Sequence, residues 1–206
     1  MTEETRTDID VWAAAHGFSP TDDQISGATP LLRMGEIGTT DDAYVGAIDG
    51  HDAWLAEFSI GSPNLTAEFG GDGVSLEAFT LFLVAVDASK WPRLTVHPSA
   101  YPDHHFFKRA FHIDHRAHTV SPEMDDRYRV ISAKGIEDEQ LRELFTPDLI
   151  AWWLEQDPMI SVDIEDHRKH GGYLTVAQPG LGVGESDLDR LFEQTKHVLA
   201  AIAPLT

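Results

Sequence analysis

Residues Leu76–Val86 read Leu-Glu-Ala-Phe-Thr-Leu-Phe-Leu-Val-Ala-Val, a run in which only Glu77 and Thr80 are polar. Few conformations suit a segment so apolar and so short. Its uninterrupted part, Leu81–Val86, is far too short to cross a bilayer. The run reads as a central strand buried on both faces, around which the rest of the chain must be arranged.

Turn chemistry marks the neighbouring strands. Ala43–Ile48 and Ala53–Ile60 flank Asp49-Gly50-His51-Asp52, and an Asp-Gly pair between apolar runs signals a hairpin. Met159–Ile164 and Tyr173–Ala177 make a second pair around His167–Gly172, and Arg93–Val96 and Arg127–Ala133 read as shorter strands. Helices are expected at Ile9–His16, stopped by Gly17, and at Asp138–Phe145. Two more follow: Pro147–Gln156, capped by Thr146, and Asp187–Ala201, capped by Ser186. The last is amphipathic, with Leu188, Leu191, Phe192, Thr195, Val198 and Leu199 on one side. Pro102–His112 also reads as a helix, whereas Ser19–Thr40 and Gly61–Gly73 read as loops. Hairpins interleaved with helices predict the α+β class. The expected architecture is an antiparallel sheet built from hairpins and covered by helices, with a C-terminal amphipathic helix, in a single domain spanning 1–206.

Charge narrows the function classes. The 206 residues carry a formal −20 and contain no cysteine. Nucleic acid needs Lys and Arg to displace counterions from its phosphates, so it is not expected as a partner. Anionic membrane surfaces are opposed for the same reason. Without thiols, disulfides, thiolate metal sites and cysteine nucleophiles are excluded. The first eight residues are polar and acidic, with no apolar run after them, so a cytoplasmic location is expected. An acidic surface suits a partner protein with a basic surface, and homo-oligomerisation stays open.

Several fragments occur together in a recognisable order: Trp12-Ala13-Ala14-Ala15-His16-Gly17-Phe18, Pro30-Leu31-Leu32-Arg33-Met34-Gly35, Leu94-Thr95-Val96-His97-Pro98, Arg127-Tyr128-Arg129-Val130, and Leu144-Phe145-Thr146-Pro147 leading into Trp152-Trp153. In this the chain resembles a group of uncharacterised actinobacterial proteins with a Trp-Ala-x-x-His-Gly start and a Leu-Thr-Pro helix entry. The resemblance implies one fold unit and an actinobacterial source. It implies no activity and carries over no catalytic residue. In that group a variable linker stands where this chain has its histidine segment.

That segment holds six of the eleven histidines, between His97 and His118. Lys108, Arg109 and Arg116 oppose Asp103 and Asp114 there, a net of +1 in a strongly acidic chain. His112, His115 and His118 recur at every third residue, with His104 and His105 upstream. Imidazoles three apart on a helix share a face, so two of them could hold zinc or nickel. A third has turned about 120° away, so three ligands need a break in the helix, with Asp114 or Glu123 completing the shell. The pattern matches no zinc signature, and solvated surface histidines are the simpler reading. The same residues could respond to pH, because imidazole titrates near pH 6.5.

Other motifs carry less chemistry. Gly180-Leu181-Gly182-Val183-Gly184 departs from the phosphate-binding patterns and is followed by acids, so it reads as a tight turn. His170-Gly171-Gly172 is similar to an esterase oxyanion loop, but no Gly-x-Ser-x-Gly elbow accompanies it. Trp152 and Trp153 point to different sides, one to the core and the other to a subunit or partner surface. The sequence therefore favours a non-catalytic acidic domain acting through protein–protein contact, chaperone-like or regulatory, with no cofactor. The alternative is a metal-binding protein or metal-dependent hydrolase using His104, His105, His112, His115 and His118.

Overall fold

The computed structural model describes residues 3–21, 38–62, 75–88, 94–99, 115–133, 138–157, 159–167, 171–180 and 184–203. In chain order these form α1 (Glu3–Ala15), β1 (Ser19–Pro20), β2 (Gly38–Ile48), β3 (His51–Ser62), β4 (Ser75–Val86), β5 (Leu94–Pro98) and β6 (His115–His118). Then come α2 (Pro122–Arg127), β7 (Tyr128–Ala133), α3 (Asp138–Leu144), α4 (Pro147–Leu154), β8 (Ser161–His167), β9 (Gly171–Pro179) and α5 (Glu185–Ile202). The strands make one sheet ordered β1-β2-β3-β4-β9-β8-β5-β7-β6, and every pairing is antiparallel. The chain is thus an α+β protein of the expected kind. In β4, Leu81, Phe82, Leu83 and Val84 are all fully buried, so both faces of this strand are covered.

Turn residues act where the sequence placed them. Ile48 pairs with His51, leaving two residues in the first hairpin loop. Asp49 and Gly50 take φ of +49° and +85°, the positive values a type I′ turn needs. In the second hairpin a Cβ on Gly172 would stand 2.2 Å from Ala88 Cβ and 2.6 Å from the Val86 carbonyl oxygen. Only glycine lets β9 pass the end of β4 so closely. Gly172 is therefore a packing residue, not part of an oxyanion loop, and His170 lies outside the described residues.

Four local readings need correction. His115–His118 is an edge strand paired with β7, not a helical stretch. The last helix starts at Glu185 with Gly184 at its N-cap and no side-chain cap, so Ser186 lies two residues too far in to act as one. Ser19-Pro20 pairs with β2. Pro122–Arg127 is a helix that periodicity was too short to reveal, although Ser121 Oγ accepts from Met124 N–H at 3.1 Å as a cap should. The helix expected at 102–112 lies outside the described residues.

All five described helices cover the same face of the sheet. Trp12, Met124, Leu141, Trp153 and Leu191 meet Phe82, Val96, Val130 and Leu174 in one core. A smaller cluster on the other face joins Ala56, Phe79, Leu81, Leu83 and Ala177, and no described helix contributes to it. The Trp-Ala-x-x-His-Gly-Phe motif has a structural task. Trp12 Nε1 donates to Asp189 Oδ1 at 2.7 Å, tying α1 to α5. His16 stacks on the indole at 4.0 Å, with Phe18, Phe82 and Phe192 around it. The outermost strands are short, two residues at β1 and four at β6.

Candidate functional site

His118 is the candidate ligand that the structure describes fully. Alternation along β6 places it on the helix-covered side, opposite Val130 of β7. Its Nε2 stands 2.5 Å from Ser132 Oγ, and its Nδ1 stands 2.8 Å from Asp138 Oδ1 at the start of α3. A carboxylate can only accept, so Nδ1 donates to Asp138, and Nε2 pairs with the Ser132 hydroxyl. Connectivity alone matches a serine–histidine–aspartate relay, a reading the sequence did not suggest because its three residues come from separate elements.

Exposure runs the wrong way for catalysis. A hydrolytic triad buries its carboxylate and presents its serine to substrate. Here Ser132 is 1% exposed, the His118 side chain 1% and the Asp138 side chain 45%. The acid meets water while the hydroxyl faces the core. This arrangement staples an edge strand, its neighbour and a helix start, satisfying polar groups that burial would otherwise penalise.

The metal reading loses its geometry at the same place. Positions 115 and 118 fall on opposite faces of a strand, and both nitrogens of His118 already have protein partners. His104, His105 and His112 lie outside the described residues. Among the described residues no group of three His, Asp or Glu side chains is placed to hold a metal ion. Glu123 lies in the first turn of α2. His97 is buried, its Nδ1 3.1 Å from the Pro98 carbonyl oxygen.

A different histidine marks the more accessible surface. Thr146 caps α4 by accepting from Leu149 N–H at 3.3 Å, with Pro147 following. Arg127 closes the other end of α4 by donating to the carbonyls of Leu154 and Gln156, a cation where the helix dipole is negative. So held, the helix sends Trp153 into the core against Tyr128, ring centroids 5.0 Å apart. Trp152 stays half-buried at the surface and stacks on His197 of α5 at 4.3 Å and 15°. Burial against the indole holds the His197 imidazole below its ordinary value of 6.5.

Beside this stack lies an open depression of about 510 Å³. Its walls come from α4 (Trp152), α5 (Arg190, Gln194, His197 and Ala200) and the β2–β3 turn (Asp49). Glu193 and Lys196 also line it, and Lys196 Nζ bonds Glu193 at 3.0 Å. Two cations thus balance two acids, in a chain whose net charge is −20. Acids instead crowd α2, α3 and the start of α4: Glu123, Asp125, Asp126, Asp138, Glu139, Glu143 and Asp148 against Arg127 and Arg142. Among the described residues that line the depression, none is a serine, threonine or cysteine that could act as a nucleophile.

Comparison with protein-family models, curated proteins and solved structures finds no match to this chain. Geometry and chemistry alone therefore support a functional reading. Among the described residues no helix is long and apolar enough to cross a membrane.

Proposed function

We propose that this chain is a non-catalytic cytoplasmic domain that works by contact with another protein, and that the Trp152–His197 surface is the contact. One observation carries the reading: a large aromatic side chain lies half-buried at the surface where α4 meets α5, beside an open, charge-balanced depression. Tryptophan is enriched at interfaces because its indole supplies a broad contact area at small entropic cost. A net −20 surrounding a neutral depression fits a partner whose flanking surface is basic. Such a field speeds encounter, while the aromatic contact holds the complex.

The test is quantitative capture from the native cytosol with wild-type and Trp152→Ala bait, followed by cross-link mapping. A stoichiometric partner cross-linked to α4 and α5, and lost with Trp152→Ala, supports the reading. If no stoichiometric partner is recovered, or if a fluorophosphonate probe labels Ser132 in the folded protein, the reading fails. A metal-binding role remains the second reading. It has no supporting geometry among the described residues and would need near-stoichiometric zinc or nickel in untagged protein.

A further inference from the structure

We draw no further inference here: the strongest candidate, the open depression beside Trp152 and His197 where α4 meets α5, belongs to the contact surface already described, and nothing in the structure shows what covers it.

Discussion

His118 lies on the helix-covered side of the sheet with both ring nitrogens bonded, whereas His197 lies on the outer side of α5 with one ring face against Trp152. The first lies within the region where the sequence concentrates histidine; the second is one imidazole in an ordinary amphipathic helix. Their environments reverse the ranking that sequence density suggests. At His118 every polar atom of the ring is committed to Ser132 and Asp138, leaving it nothing to offer a ligand. At His197 the ring stacks on a half-buried tryptophan, beside an open depression. A cluster of one residue type in the sequence is therefore weak evidence for a site.

Removing each imidazole gives the sharpest contrast. His118→Ala leaves the buried Ser132 hydroxyl without its histidine partner and removes a link between β6, β7 and α3. It should cost about 2–3 kcal/mol of stability in a denaturant melt. His197→Ala, at a surface position, should cost about 0.5 kcal/mol or less. Equal losses at the two sites would break the distinction between staple and surface.

A second expectation concerns the core tryptophan beneath the surface stack. Burial pushes the Tyr128 phenol, packed on Trp153, up to about 12, even though the Arg127 guanidinium beside it lowers the value. The unfolded phenol ionises near 10.0, so the folded state resists deprotonation more than the unfolded state does. Stability from this group is complete below the unfolded value and is lost as pH rises through the folded value. The melting temperature should therefore fall as pH climbs from 10 to 12, and Tyr128→Phe should flatten that fall. An unchanged slope in the variant would assign the loss to other groups.

The smallest effect is at His197 itself. Its imidazole is held low by burial, so protonation opposes the stacked conformation. That contribution is present above the unfolded value of 6.5 and is lost as pH falls through the folded value. An NMR titration of the ring protons should give a midpoint below 6.5, and Trp152→Ala should move it upward. A midpoint that ignores Trp152→Ala would show that the stack does not set the imidazole's environment.

Much of the fold was legible locally, for identifiable reasons. Leu81–Val84 announced a strand covered on both faces because no amphipathic helix can be built from continuous apolar side chains. Asp49-Gly50 announced a two-residue turn because the type I′ geometry needs two positive φ values. Thr146-Pro147 announced a helix start because a side-chain oxygen and a ring-fixed φ suit its first turn. Pro122–Arg127 was harder to see: six residues hold too little periodicity. His115–His118 was misplaced because a three-residue spacing shares a face only if the backbone is helical, and pairing with β7 makes it a strand.

The site was legible only in part. Sequence placed one of Trp152 and Trp153 in the core and the other at a surface, since consecutive helical residues diverge by about 100°. It could not say that His197, 45 residues on from Trp152, would stack on the half-buried indole, because β8 and β9 separate α4 from α5 in the chain and packing alone brings the two helices together. Nor could it bring Ser132, His118 and Asp138 together, or show that their exposure runs opposite to a catalytic relay. Local sequence determined the elements here, through turn geometry, capping and the period of apolar side chains. Tertiary structure alone decided which polar atoms were satisfied, because hydrogen-bond partners distant in the chain are chosen by packing.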